Sequence, residues 1–227
     1  MITHDRSTAD DDSILSALRS EARAAPEFVA FMATAAPMLA WSPRGDGHPV
    51  LVLPGLGGDD ASTIPIRWFL SLLGYKTHGW QLGVNRGSTA RATEGMGRLV
   101  DGLVARHQQR ISVIGWSLGG IFANSIARRV PNDIRQVITL GSPLRQSADA
   151  PRHVPVTSVY SRTDRIVPWP LAVLDEAPLR ESVEVCGSHL GLAHNPAVLT
   201  VVTDRLAHRD GAWRPYTPPR WCPWFPR

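Results

Sequence analysis

The sequence predicts an α/β fold, a mostly parallel sheet of about six strands with helices on both faces. Three observations support this prediction. Short segments rich in Val, Ile and Leu alternate with longer segments whose apolar residues recur at helical spacing. The short segments are apolar along almost their whole length, which is typical of parallel strands covered on both sides. A chain of 227 residues with 43% hydrophobic residues also has ample apolar material for one such domain.

Each element has a local signal. Ser13 suits the cap of a first helix, Pro26 suits the start of a second, and Pro131 stops the helix that precedes it. The predicted strands are 49–53, 75–80, 111–114, 134–140, 154–160 and 182–186. The predicted helices are 13–23, 26–40, 62–73, 89–107, 118–130 and 196–207. We find no internal repeat and no second domain.

The chain divides into three parts by composition. Residues 1–12 are polar and acidic, and we expect them to be disordered. We expect residues 13–212 to form the single domain, with N-terminal helices over 13–47 and the α/β core over 48–207. Residues 213–227 hold three of the eight tryptophans and five of the nineteen prolines. This composition predicts an extended arm.

The arm carries more aromatic surface than a free tail requires. We therefore expect it to pack on the body of its own protein, with Trp221 and Trp224 as anchors. The alternative is a segment that docks a partner or a membrane surface, since tryptophan and arginine suit both.

Charge and cysteine content exclude several classes. The net charge of +4 comes from 23 arginines and one lysine against 20 acids, and no basic block exceeds two residues. This scatter predicts no nucleic-acid partner. Two cysteines, Cys186 and Cys222, cannot support a disulfide framework, and we expect both to be reduced thiols. The histidine and cysteine spacings match no metal motif, so no metal and no cofactor is expected.

The N-terminal sequence is acidic and lacks the apolar core of a signal peptide. The longest apolar stretch, from Phe28 to Trp41, is too short to span a bilayer and is broken by Pro37. We therefore expect a cytoplasmic protein without an integral membrane segment. The oligomeric state is left open.

A glycine-fenced serine gives the first functional signal. The segment ISVIGWSLGG, residues 111–120, is an apolar strand that ends in Gly115-Trp-Ser117-Leu-Gly119. A strand that turns directly into a helix strains the residue at the turn, and the positions two before and two after it crowd together. Such a turn exposes the hydroxyl of Ser117 at the end of the strand. The plain alternative is a turn without chemistry.

An acid and a histidine follow two later strands. Asp164 comes a few residues after the strand 154–160, and His189 lies on the loop after 182–186. Reactive groups gather at the carboxyl ends of parallel strands. A serine needs an imidazole to take its proton, and the imidazole needs an acid to hold its tautomer. The alternatives are His194 as the base and Asp175 or Glu176 as the acid.

These segments resemble the α/β-hydrolase superfamily, and in particular small bacterial lipases and esterases. The matching segments are VLVLPGLGG58, GWSLGG120, YSRTD164 with IVPW169, and GSH189, within residues 48–207. The resemblance implies the α/β-hydrolase fold and a Ser117, His189 and Asp164 triad. It also implies an oxyanion hole made by the backbone N–H groups of Leu118 and of the loop Pro54–Gly57, where Leu56 is the expected donor.

The same glycines admit another interpretation. Gly55-Leu-Gly57 after a strand is typical of a dinucleotide-binding turn, but the third small position is Asp60, and two acids there would repel a pyrophosphate. We therefore do not expect a nucleotide.

The substrate expected from these residues is a neutral acyl ester. Only residues 141–153 are available for a lid, so the site should have a minimal lid or none. Five apolar residues are placed by sequence near the site and could line an acyl pocket, with core packing as the alternative: Leu56, Trp116, Leu144, Trp169 and Leu190. The expected activity is carboxylic ester hydrolysis through an acyl-enzyme. Acyl transfer, thioester hydrolysis, and a catalytically silent binding protein on the same fold are the alternatives.

Overall fold

Six parallel strands form a single sheet in the computed structural model, which describes residues 21–87, 90–146, 151–218 and Phe225. The sheet order is β2-β1-β3-β4-β5-β6, and every neighbouring pair is parallel. The strands are β1 Pro49–Leu53, β2 Lys76–Gly79, β3 Ile111–Trp116, β4 Ile134–Leu140, β5 Val156–Tyr160 and β6 Arg180–Glu184. The predicted fold class is confirmed.

Helices cover both faces of this sheet. They are α1 Ala24–Trp41, α2 Ile64–Leu72, α3 Ala90–His107, α4 Leu118–Arg129 and α5 Pro196–Ala207. Alternate strand residues point to opposite faces. Val50 and Val52 of β1 therefore pack with α1, α2 and α5. Leu51 and Leu53 pack instead with α3 and α4. The result is two apolar layers that fix all six carboxyl strand ends at one edge.

Several element boundaries differ from the sequence prediction, and the differences at α2 and β6 are the clearest. The helix expected over 62–73 begins as a 3₁₀ turn, Asp60–Thr63, before α2. The Asp59 carboxylate accepts a hydrogen bond from the Ala61 amide and so starts the turn early. Strand β6 begins two residues before the predicted 182–186, because its first residues are polar and half-buried at the sheet edge.

Helix α1 continues through Pro37, as the predicted helix 26–40 does, so this proline does not break the apolar stretch. Proline removes one backbone N–H, and the acceptor four residues earlier is Ala33. Both residues are solvent-exposed, so water can satisfy the freed carbonyl. At 18 residues α1 meets the length and hydropathy criteria of a membrane span, although a helix of a soluble protein can meet them too.

The described part of the C-terminal arm, 213–218 and Phe225, lies against the body. The Tyr216 amide donates to the Glu181 carboxylate at 2.5 Å, and the Arg205 guanidinium lies 5.4 Å from the centre of the Tyr216 ring. Phe225 is 8% exposed and packs in the same core layer as α1 and α5. Trp221 and Trp224 lie outside the described residues, so their role as anchors stays a prediction.

A polar network of the exposed Asp46 and the buried His48, Ser112 and Arg135 lies at the opposite edge of the sheet. His48 precedes β1, and its Nδ1 donates to Asp46 Oδ1 at 2.5 Å. Its Nε2 accepts from the Ser112 hydroxyl of β3 at 2.8 Å. The other Asp46 oxygen accepts from Arg135 at 2.7 Å. The network thus ties together the first residues of three neighbouring strands.

This network should make stability fall on acidification. Burial lowers the pKa of His48 below its ordinary value of 6.5. Burial acts to raise the pKa of Asp46, but hydrogen bonds from His48 and Arg135 outweigh it and hold that pKa well below 3.8. In both cases the unfolded chain binds the proton more readily. The stability contributed by His48 is therefore complete above pH 6.5 and is lost below it, and that of Asp46 is lost below pH 3.8.

Melting temperatures measured from about pH 8 to about pH 4 test this expectation. The wild type should lose stability as the pH falls, and His48→Gln, which cannot titrate there, should show a shallower slope between pH 7 and 5. Equal slopes in the two proteins would contradict the assignment to His48.

Candidate active site

Ser117 occupies a single-residue turn between β3 and α4. Its backbone has φ 53° and ψ −121°, a combination in which a residue with a Cβ is strained. The side chain stays partly accessible at the carboxyl edge of the sheet. The turn predicted from the motif is therefore present in the structure.

The neighbouring glycines are required by close backbone contacts. A Cβ on Gly115 would overlap the Gly119 carbonyl group, and a Cβ on Gly119 would lie 2.5 Å from the Leu53 carbonyl oxygen. Gly120 has the same constraint, because its Cβ would overlap the Ser142 hydroxyl. Only glycine lets α4 start this close to the sheet.

Asp164 and His189 form a hydrogen-bonded pair at the same edge. His189 Nδ1 lies 2.6 Å from Asp164 Oδ2, and the two residues are 3% and 6% exposed. Asp164 Oδ1 accepts from the amides of Ile166 and Val167, both at 2.8 Å, and these bonds fix the carboxylate. A carboxylate can only accept, so Nδ1 carries the hydrogen and Nε2 is the nitrogen left for a substrate or a hydroxyl.

Two contacts bring Ser117 next to this pair. The Ser117 amide donates to the Leu140 carbonyl at 2.8 Å, so the turn lies beside Gly141. A Cβ on Gly141 would lie 3.0 Å from Asp164 Oδ2 and 3.1 Å from His189 Nδ1. Trp116, which precedes the serine, donates its indole N–H to the His189 carbonyl at 3.1 Å. The three predicted residues are thus neighbours in space.

The loop after β1 lies on the other side of Ser117. A Cβ on Gly55 would come 3.2 Å from Ser117 Cβ, so the loop backbone closely approaches the serine. Leu56 is 67% exposed, and its amide makes no hydrogen bond within the described ranges. Leu118 supplies the first amide of α4, a position without an acceptor inside the helix. Both expected oxyanion donors therefore belong to segments that adjoin Ser117.

Asn85 holds this loop in place, and the sequence analysis missed it. Its side-chain amide donates to the Pro54 carbonyl at 2.8 Å. Its backbone exchanges two further bonds with the loop: it donates to Gly58 at 2.7 Å and accepts from Gly57 at 2.8 Å. The residue is fully buried. No local pattern marks such a contact, since the partners are about thirty residues apart.

Two carboxylates near the start of α1 hold the histidine loop, and these were also missed. Glu27 accepts from the Ser188 amide at 2.8 Å and from the Ser188 hydroxyl at 2.7 Å. Glu21 accepts from the amides of His189 at 3.2 Å and Leu190 at 2.8 Å. Gly191 leaves the space for Glu27, because a Cβ there would overlap the carboxylate. Carboxylate–amide bonds of this kind are charge-assisted and strong.

Glu27 is therefore a positioning residue, and Glu27→Ala should lower kcat for an ester by about 100-fold, the cost of a small misplacement of a reacting group. KM should change little, because Glu27 contacts the loop rather than the substrate. Glu27→Gln, which retains one acceptor, should recover part of the loss. Steady-state kinetics check this, with Glu94→Gln on the exposed face of α3 as the control. Full kcat in Glu27→Ala would contradict the role.

The other predicted residues lie in different settings. Leu190 is 44% exposed beside His189. Trp169 stacks on Tyr160 with ring centres 6.0 Å apart, below the Arg162 guanidinium. Leu144 is 5% exposed and packs in the core layer of α3 and α4. For Leu144 the expected place in an open acyl pocket is not what the structure shows, because its 3₁₀ turn directs the side chain into the core.

The alternative acid and base are engaged elsewhere. His194 Nε2 contacts the Ala24 carbonyl at 3.0 Å, and its ring packs edge-on against Phe28. Asp175 is exposed and lies 3.6 Å from Arg145. Geometry therefore favours His189 and Asp164 over both.

The parallel sheet, its strand order and the strained serine turn define the α/β-hydrolase fold, and comparison with solved structures agrees. Lipase B of Aspergillus fumigatus superposes with a TM-score of 0.59 at 15% identity, covering 76% of this chain and 56% of that one. The Bacillus licheniformis lipase BlEst2 gives 0.59 at 12% identity over 73% and 94% of the two chains. An α/β serine hydrolase without lid from Xanthomonas campestris gives 0.53 at 16% over 78% and 88%. These likenesses show the fold.

A curated relative extends the comparison to sequence. The pimeloyl-[acyl-carrier protein] methyl ester esterase of Aliivibrio salmonicida is 29% identical over 111 residues. The match covers 49% of this chain and 42% of the relative, so it spans less than half the length of that protein. No family model matches the chain.

Proposed function

We propose that the chain is a serine hydrolase that cleaves carboxylic esters through an acyl-enzyme intermediate. The observation that carries this proposal is the Asp164–His189 hydrogen bond at the sheet edge where the strained turn presents Ser117. The names of the similar proteins, two lipases and a methyl ester esterase, support the same reaction class.

The proposed reaction has two steps, acylation of Ser117 and hydrolysis of the acyl-enzyme, and His189 transfers a proton in both. Ser117 Oγ attacks the ester carbonyl while His189 Nε2 takes its proton, and Asp164 stabilises the imidazolium through Nδ1. The carbonyl oxygen, now negative, accepts hydrogen bonds from the amides of Leu56 and Leu118. His189 then returns the proton to the leaving alkoxide. Water repeats the sequence on the acyl-serine and releases the acid.

The proposed substrate is an ester with an apolar acyl chain. Four large apolar side chains are exposed on the loops that carry or adjoin the proposed catalytic groups: Leu56, Val84, Ile166 and Leu190. Apolar surface of this kind binds an acyl chain by removing it from water. A series of p-nitrophenyl esters from acetyl to palmitoyl, with Ser117→Ala as the blank, tests the proposal. Turnover with thioesters alone would show that the reaction is thioester hydrolysis. Turnover that requires an added acyl acceptor would show that it is acyl transfer.

Asp164→Asn should lower kcat by about 10⁴, because an amide in place of the carboxylate leaves the imidazole in the wrong tautomer. Steady-state kinetics on the best ester measure this. Asp175→Asn is the matched control, and it should retain wild-type kinetics, since Asp175 is exposed. Loss of activity in Asp175→Asn together with wild-type kcat in Asp164→Asn would identify Asp175, instead of Asp164, as the acid.

A cytoplasmic location is part of the proposal. It is supported by the exposed free thiol of Cys186, which is typical of a reducing compartment. Cell fractionation tests it. Recovery of the protein with the membranes would contradict it and would point to α1.

A further inference from the structure

A cavity lies next to Asn85, the residue that holds the loop after β1. It has a volume of about 610 Å³ and lies between the loop after β2 and the first turn of α3. Its lining residues are Trp80, Leu82, Gly83, Val84, Arg86, Gly87, Arg91 and Ala92. The lining is mostly apolar, with two arginines, and the size suits a small-molecule ligand.

The segment that lines the cavity is hydrogen-bonded to the loop that carries the expected oxyanion donor. Asn85 lies between the lining residues Val84 and Arg86, and its side chain binds the Pro54 carbonyl. Pro54 precedes Gly55, which closely approaches Ser117. Direct contacts through Asn85 and the segment Pro54-Gly55 thus connect the cavity lining to Ser117.

The two arginines have no acidic partner among the described residues. Both side chains are solvent-exposed, so a ligand can reach them. The neighbouring acids are already engaged. Asp60 accepts from the amides of Trp80 and Gln81, at 2.8 and 3.0 Å. Glu94, one turn along α3 from Arg91, lies 3.8 Å from Arg98. The cavity therefore combines an apolar surface with two positive charges that lack a counter-charge.

We infer that this cavity binds the far end of the ester substrate, an apolar chain that ends in an anionic group. The inference rests on the proposed function, because it assumes that the near end reacts at Ser117. The half-buried Leu82 and the exposed Val84 supply apolar surface for the chain. The guanidinium groups of Arg86 and Arg91 can each bind a carboxylate or a phosphate through paired N–H donors. Neutral esters would lack this second contact.

The experiment compares charged and neutral esters of equal length. Monomethyl esters of straight-chain dicarboxylic acids carry the anion, methyl esters of the matching fatty acids do not, and chains ending in a phosphate monoester form a third arm. Loss of a hydrogen bond to a charged group lowers binding affinity by a factor of about 10 to 100. Wild-type kcat/KM should favour the charged esters by about that factor, and Arg86→Gln and Arg91→Gln should lose the preference through KM.

Arg98→Gln is the matched control, since it removes the same charge from the same helix outside the cavity. It should keep the preference. The relative rates of the carboxylate and phosphate arms identify the end group. Equal kcat/KM for charged and neutral esters would overturn the inference. So would a loss of the preference for charged esters in Arg98→Gln as large as in the cavity variants. In both cases, turnover of neutral esters would still support the proposed function. If no ester reacts, calorimetric titration of Ser117→Ala with the charged esters decides: binding weakened by Arg86→Gln supports the subsite, and absence of binding overturns it.

Discussion

Ser117→Ala is expected to lower ester hydrolysis by about 10⁶-fold, the loss found when the nucleophile of such a triad is removed. No other hydroxyl is held at the turn between β3 and α4. The fold should survive, because alanine tolerates the strained dihedrals of this turn about as well as serine does. Activity on the best p-nitrophenyl ester and the melting temperature are the two measurements.

A serine-reactive organophosphonate supplies a direct readout. It should label the wild type once and leave Ser117→Ala unlabelled. Ser112→Ala is the matched control: Ser112 also contacts a histidine, but it is fully buried at the opposite sheet edge. That variant should be labelled and active. A binding protein on the same fold would show no labelling at all, and more than a few per cent residual activity in Ser117→Ala would reject the nucleophile.

His189→Ala should be nearly as damaging as the loss of the serine, again by about 10⁶-fold. Without the imidazole no group can accept the Ser117 proton, and the members of such a triad act as one unit. KM for the ester should change far less than kcat, because the side chain acts on the reacting atoms. Stopped-flow measurement of acylation isolates the affected step.

His194→Ala is the natural comparison, five residues along the chain. Its ring contacts the Ala24 carbonyl and Phe28, so we expect some loss of stability and nearly normal turnover. The opposite outcome, a dead His194→Ala beside an active His189→Ala, would show that the wrong histidine was chosen.

Local signals explain what the sequence could predict. The motif of five residues from Gly115 to Gly119 can be recognised in the sequence, because the crowding around Ser117 depends on backbone geometry alone. Asp164 and His189 were found because parallel strands bring their carboxyl ends together, wherever the residues fall along the chain. Both kinds of inference follow from the period and order of the elements.

Other features depend on contacts that no local pattern records. In the sequence, Glu27 is an ordinary acidic residue in the first turn of a helix. Its contact with Ser188, 161 residues away, is known only from the structure. Asn85 reads as a loop residue for the same reason. Leu144 was assigned to a pocket by its sequence position, but the direction of a side chain from a short turn is set by packing.

The Asp46, His48 and Ser112 network has a consequence for the way catalytic sites are recognised. A template built on distances between a carboxylate, an imidazole and a hydroxyl would find a match in this network as well as a candidate at Ser117. In this network the imidazole and the hydroxyl are buried away from any substrate although Asp46 is half exposed, and the serine lies within a regular strand instead of at the start of a helix. Side-chain spacing alone would thus assign this molecule two centres. Of the two serines, a template that also demands an accessible hydroxyl at the start of a helix would keep Ser117 and discard Ser112.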